Sequence, residues 1–123
     1  VLYSHRSTVL HALATCAADS LGLSSRDSVM LIVPMFHANG WGVPYAGAMC
    51  GAKLVFPGAA LDGASLCELM NLGGCTLSMG VPTVWLNFLA YIDQHKGAVP
   101  ARLRPAPSRR GRAPVRDASP HSG

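Results

Sequence analysis

The sequence predicts an α/β fold, a partial parallel sheet of strand-helix repeats covered by helices. Two observations predict it. Apolar runs that read as strands begin near residues 29, 53 and 75, and a helical pattern follows each one. The first run, Val29 to Val33, is continuously apolar rather than alternating, as expected of a strand covered on both faces. Strands alternating with helices imply parallel pairing through crossovers. Three strands make only part of a doubly wound domain and leave sheet edges open. The chain also lacks an initial Met, so it is expected to be an internal fragment.

The elements follow in order. Ser4 is placed to cap a helix. Leu10, Leu13, Ala14, Ala17 and Leu21 form its apolar stripe, Thr8, His11, Thr15 and Asp19 a polar one, and Gly22 is the expected stop. Residues 24–28 read as a loop before the strand Val29 to Val33. Pro44 suits the first turn of the next helix, where Ala46, Gly47, Ala48 and Gly51 allow close packing. Lys53 to Phe56 is the second strand, ended by Pro57-Gly58. Asp62 caps a helix carrying Leu66, Leu69 and Met70, which Asn71 to Gly74 ends. Cys75 to Met79 is the third strand. Pro82 opens the last helix, whose apolar face is Val84, Trp85, Phe88, Leu89 and Ile92.

After Pro100 the character changes. Residues 100–123 read as a disordered Arg/Pro-rich tail, set apart from a body spanning residues 1–99. Residues 101–123 carry six Arg against one Asp, or +5, while residues 1–100 carry four basic against five acidic residues, or −1. The body therefore gives no reason to expect a nucleic-acid partner. The tail has two readings, a polyanion-binding arm or the product of a lost coding frame, since GC-rich DNA read out of frame yields Arg, Pro, Ala and Gly. No apolar run reaches membrane-spanning length. Cys16, Cys50, Cys67 and Cys75 contain no C-x-x-C pair. They read as buried reduced thiols, which suits a cytoplasmic protein, and no metal site is expected from them.

The stretch that organises the chain runs from Ile32 to Tyr45, Ile-Val-Pro-Met-Phe-His-Ala-Asn-Gly-Trp-Gly-Val-Pro-Tyr. A strand stops at Pro34 and delivers His37 and Trp41 into a Gly-rich turn. In open parallel sheets, ligands gather beyond the carboxyl ends of strands. The same stretch also reads as a strand-to-helix connection with a packed Trp. A Gly-x-Ser-x-Gly pattern is not formed around Ser78-Met79-Gly80, which removes the main support for a hydrolase.

Four motifs in order, Val1-Leu2-Tyr3-Ser4-His5-Arg6, Pro34-Met35-Phe36-His37-Ala38-Asn39-Gly40-Trp41-Gly42, Gly51-Ala52-Lys53-Leu54-Val55-Phe56-Pro57-Gly58 and Gly80-Val81-Pro82-Thr83-Val84-Trp85, resemble the AMP-forming acyl-CoA synthetases. The match covers residues 1–99 and is most similar to medium- and long-chain fatty-acyl-CoA ligases. The resemblance implies a piece of the large N-terminal domain of an adenylate-forming enzyme, using a fatty acid, ATP with Mg2+, and coenzyme A. It implies a cytoplasmic or membrane-peripheral ligase and a homodimeric parent. The family's phosphate loop, adenine segment and adenylation Lys have no match here, so this chain alone is expected to be inactive.

The resemblance also assigns roles. His37 is the catalytic candidate, an imidazole able to donate to developing anionic oxygens; a structural His bonded to a backbone carbonyl is the alternative. Ala38 and Trp41 are expected at the nucleotide. Trp41, Gly40, Gly80, Val81 and Pro82 are expected at the acyl pocket, where an indole offers a flat apolar face and one N–H; core packing and a structural turn are the alternatives. The other functional readings are an AMP-forming ligase for a different carboxylic acid, and a non-catalytic α/β module whose basic tail binds polyanions.

Overall fold

The computed structural model describes residues 2–95 and 98–103. Three strands, β1 (Ser28–Leu31), β2 (Lys53–Val55) and β3 (Leu77–Met79), form a parallel sheet in the order β2-β1-β3. In register, Val29 of β1 lies between Leu54 and Leu77. Past Leu31 the chain stays attached to β3, for the Ile32 and Val33 N–H groups both donate to the Met79 carbonyl.

Side chains alternate across a strand, and β1 uses both sides. Val29, Leu31 and Val33 pack with Ala12, Val43 and Ala46 on one face, under helices α1 (His5–Cys16) and α3 (Val43–Cys50). Met30 and Ile32 pack with Leu66, Met70 and Phe88 on the other, under α4 (Gly63–Gly73) and α5 (Pro82–Gln94). The continuous apolar run thus reflects a strand with no solvent-facing side. Met30, Leu66 and Met70 are fully buried, each burial stabilising the fold by about 1.5–3 kcal/mol.

The first helix differs from its expected form in length and orientation. It ends at Cys16, with Ala17 extended, and Gly22 instead closes the following turn at φ +59°. Leu10 and Leu13 are each 55% exposed, whereas Ala12 and Thr15 are buried. The reason is the partner: α3 offers Val43 and Ala46, against which Ala12 packs, so the small residues of α1 and not its leucines face the core. Thr15 belongs on this face because its hydroxyl donates to the His11 carbonyl at 2.8 Å. On α5, Phe88 is buried but Leu89 is 59% exposed, outside the face expected to be core.

Other local signals act as expected. The Ser4 hydroxyl accepts from the Ser7 N–H at 3.1 Å and the Asp62 carboxylate from the Ser65 N–H at 3.0 Å, capping α1 and α4. A Cβ at Gly47 would lie 2.8 Å from Leu54 Cδ2, so α3 sits against β2 only because no side chain intervenes. Cys67 and Cys75 are buried, while Cys16 and Cys50, also expected to be buried, are partly exposed.

The packed body continues to Leu103. Ala98 and Leu103 pack on the α4/α5 layer, Pro100 is buried, and the Cys67 thiol donates to the Ala98 carbonyl. The Arg-rich remainder of the tail lies outside the described residues. Among the described residues, no helix is long and apolar enough to cross a membrane.

Candidate active site

The chain leaves β1 toward the α1/α3 layer, whereas it leaves β2 and β3 toward the α4/α5 layer. Where connections from adjacent parallel strands diverge to opposite faces, a crevice opens beyond their carboxyl ends. The residues from Pro34 to Gly42 occupy that position.

Their backbone is unusual. Ala38, Asn39, Gly40, Trp41 and Gly42 have φ of 43°, 53°, 63°, 57° and 71°. The segment α2 (Ala38–Trp41) is therefore one left-handed turn, closed by Trp41 N–H to His37 O and Gly42 N–H to Ala38 O, each at 3.1 Å. A left-handed turn costs roughly 1–2 kcal/mol per L-residue with a side chain, less for Asn. Gly40 and Gly42 are free of that penalty, but Ala38 and Trp41 are not. Strain of this kind persists only where the surroundings enforce it, and it concentrates at functional sites.

The surroundings enforce it through two glycines. A Cβ on Gly40 would lie 2.8 Å from Leu31 Cδ2 and 3.2 Å from Met35 Sδ. A Cβ on Gly42 would lie 2.6 Å from His11 Nδ1. The turn is thus pressed onto the end of β1 on one side and onto the His11 ring of α1 on the other.

The turn presents its side chains outward. His37 is exposed, and its ring stands 4.7 Å from the Phe36 ring, tilted by 46°. Among the described residues, nothing hydrogen-bonds the His37 imidazole, and it does not cap α2. Trp41 is 44% exposed. It lines a cavity of about 360 Å3 together with Ala38, Asn39, Tyr45 and the α1 residues Ser7, Thr8 and His11; Tyr3 and Gly42 complete the wall. Its lining combines the aromatic rings of Tyr3, Trp41 and Tyr45 with the hydroxyls of Ser7 and Thr8 and the His11 imidazole.

The sequence-predicted residues separate into groups. Ala38 and Trp41 come together at the cavity. His37 adjoins them at the start of the turn but is not part of the lining. Gly40 is buried beneath the turn. Gly80, Val81 and Pro82 lie at the carboxyl end of the neighbouring β3 and do not line this cavity. There the Gly80 carbonyl accepts from Trp85 Nε1 at 3.1 Å, and a Cβ on Gly80 would meet Ile32 Cβ at 3.1 Å.

Sequence reasoning missed His11, Tyr45 and Asn39 as wall residues. His11 sits on a predicted polar stripe, and only the packing of α1 on Gly42 brings its ring to the site. The Asn39-Gly40 pair is a turn signal that could have announced positive φ. Among the described residues, no three His, Cys, Asp or Glu gather to hold a metal ion.

The family model described as AMP-binding enzyme matches residues 1–117. The chain belongs to the AMP-binding enzyme family. Its curated relatives include a medium-chain-fatty-acid–CoA ligase of Ectopseudomonas oleovorans, 59% identical over 90 residues that are 73% of this chain and 16% of the relative. A 3-methylmercaptopropionyl-CoA ligase of Ruegeria lacuscaerulensis is 55% identical over 91 residues, 74% and 17% of the two chains. A long-chain-fatty-acid–CoA ligase of Thermus thermophilus is 52% identical over 93 residues, 76% and 17%. The chain thus spans about a sixth of the length of these relatives. The partial sheet fits a piece of an AMP-binding domain.

Proposed function

We propose that this chain forms one wall of the active site of an AMP-forming acid–CoA ligase acting on fatty acids. The carboxylate of the acid attacks the α-phosphorus of Mg-ATP, giving acyl-AMP and pyrophosphate, and the thiol of coenzyme A then displaces AMP. His37 donates from its free imidazole to the oxygens that gain charge at the carboxylate and phosphate. Trp41, with the backbone of Ala38, stands between the nucleotide and the acyl group, its indole closing the apolar channel. Gly40 beneath the turn and Gly80, Val81 and Pro82 at the carboxyl end of β3 border the acyl group outside the cavity that Trp41 lines. The Mg2+ arrives with the nucleotide as part of the substrate.

The observation that carries this reading is the left-handed turn, which holds an unpartnered His37 and a half-exposed Trp41 at the carboxyl end of the central strand of an AMP-binding chain. The relatives named for medium- and long-chain fatty acids support the acyl substrate. A cytoplasmic enzyme touching membranes peripherally is the setting consistent with that substrate, and a homodimer is the assembly the family resemblance implies.

A second reading is a ligase for a short thioether acid, favoured by relatives from two Ruegeria species named 3-methylmercaptopropionyl-CoA ligase, at 55% and 52% identity. The polyanion-binding module rests on the basic tail, most of which lies outside the described residues.

ATP–pyrophosphate exchange by the intact protein that carries this chain tests the proposal, with decanoate, palmitate and 3-(methylthio)propionate compared. Exchange dependent on a fatty acid is expected. Exchange tenfold faster with the thioether acid selects the second reading, and no acid-dependent exchange ends both.

A further inference from the structure

The cavity has a second structural dependence, on the far ends of the two helices that wall it. Cys16 is the last residue of α1 and Cys50 the last residue of α3. The Cys16 thiol donates to the Ala46 carbonyl at 3.8 Å, across the interface between the helices. Ala46 and Cys50 are four apart and share one face of α3, so Cys16 lies on the turn that carries Cys50. The Cys50 thiol turns back onto the Gly47 carbonyl at 3.7 Å, on the same turn. Both cysteines pack against the same core cluster, and both are partly exposed. Cys67 and Cys75 lie in the other cluster, across the sheet.

We propose that Cys16 and Cys50 form a dithiol modification site, which a hydroperoxide closes into an intramolecular disulfide. Two S–H bonds and the O–O bond of hydrogen peroxide break; one S–S bond and two O–H bonds form. The first thiolate attacks one peroxide oxygen and becomes a sulfenic acid, releasing hydroxide that takes up a proton as water. The second thiol displaces the sulfenic hydroxyl, which leaves as the second water. Each sulfur is oxidised by one electron and the peroxide is reduced by two. Burial raises the Cys16 thiol above its ordinary value, and its neighbour Cys50 raises it further, which favours Cys50 as the thiol that attacks the peroxide.

The bridge would tie α1 to α3. Ser7, Thr8 and His11 reach the cavity from α1, and Tyr45 from α3, so the disulfide fixes the separation of the two walls. The segment it closes, residues 16–50, contains β1 and the whole left-handed turn. A thiol pair at this place gives oxidants a handle on the cavity without using any residue that lines it.

The test is a disulfide map of the full chain. Reduced protein is treated with hydrogen peroxide, free thiols are capped with iodoacetamide, and unreduced peptides are weighed. The expected product has lost two hydrogens and yields one cross-linked peptide pair, Cys16 with Cys50. Cys16→Ser is expected to abolish that pair and leave Cys50 trappable by dimedone as a sulfenic acid. Should that variant fail to fold, the wild-type map alone decides. A bridge between any other pair, only intermolecular bridges, or four capped thiols overturns the site. Amide hydrogen exchange then reads the coupling: oxidation should slow α1 and α3 about tenfold more than α4 and α5. Equal or absent slowing overturns the link to the cavity.

Discussion

The two ends of the central strand are built in opposite ways. At the amino end the buried polar side chains have partners among the described residues. Asp27 is buried, and its carboxyl oxygens accept from the Ser24 N–H at 2.9 Å, the Ser24 hydroxyl at 3.0 Å and the Thr76 hydroxyl at 2.8 Å. Its carbonyl accepts from Lys53 N–H, and the Ser28 hydroxyl donates to the Gly73 carbonyl. These bonds tie the start of all three strands together. At the carboxyl end the backbone is strained, the His37 ring has no hydrogen-bond partner among the described residues and Trp41 stands half in solvent. The first arrangement fixes the sheet. The second leaves hydrogen-bonding capacity and apolar surface available to a ligand, at a cost in stability that the first end offsets.

The comparison can be broken at either end. The largest effect is expected from Asp27→Ala, which removes the buried acceptor of three hydrogen bonds from Ser24 and Thr76 and should remove about 3 kcal/mol of stability, read as a lower urea midpoint. A loss under about 1 kcal/mol would mean the amino end is not the anchor. Next comes Gly42→Ala, which places a Cβ against His11 at φ +71° and should cost about 2 kcal/mol, visible in the same denaturation. Asn39→Gly probes strain from the other side: it should stabilise the chain by about 0.5–1 kcal/mol, and a destabilisation would show that the turn is relaxed. Trp41→Ala should change the urea midpoint by less than any of these, since the ring is half exposed. A loss equal to that of a core residue would return Trp41 to packing.

The smallest effect is a pH dependence at the α4 cap. The Ser65 N–H and hydroxyl hold the Asp62 carboxyl below its ordinary value. A carboxyl depressed on folding stabilises above its unfolded value, and that contribution fades as pH falls through the folded one. The stability difference between wild type and Asp62→Ala should therefore be present at neutral pH and shrink below about pH 4. A difference unchanged down to the lowest pH at which the fold persists would mean that the cap does not depend on the carboxylate.

Much of this contrast was legible in the sequence, and the rest was not, for physical reasons. The central strand was legible because a strand buried on both faces must be apolar throughout, as Val29 to Val33 is. Ser4, Asp62 and Pro82 marked helix starts because unpaired N–H groups there restrict residue choice. The buried face of α1 was not legible: Leu10 and Leu13 carry the stronger apolar signal, yet the buried residues are Ala12 and Thr15. Asp27 looked like part of a polar loop because its donors, Thr76 among them, lie as far as 49 residues away. The motif from Pro34 to Gly42 pointed to the carboxyl end of β1, but the handedness of the turn and the approach of His11 depend on tertiary packing.

The most direct test of the site at the carboxyl end is His37→Ala in the intact protein that carries this chain, assayed by fatty-acid-dependent ATP–pyrophosphate exchange beside its urea midpoint. Loss of a donor to developing negative charge should lower exchange by about 10²–10³-fold, while the midpoint stays that of the wild type because the ring is exposed and unbonded. Exchange within twofold of wild type at an unchanged midpoint would contradict the account.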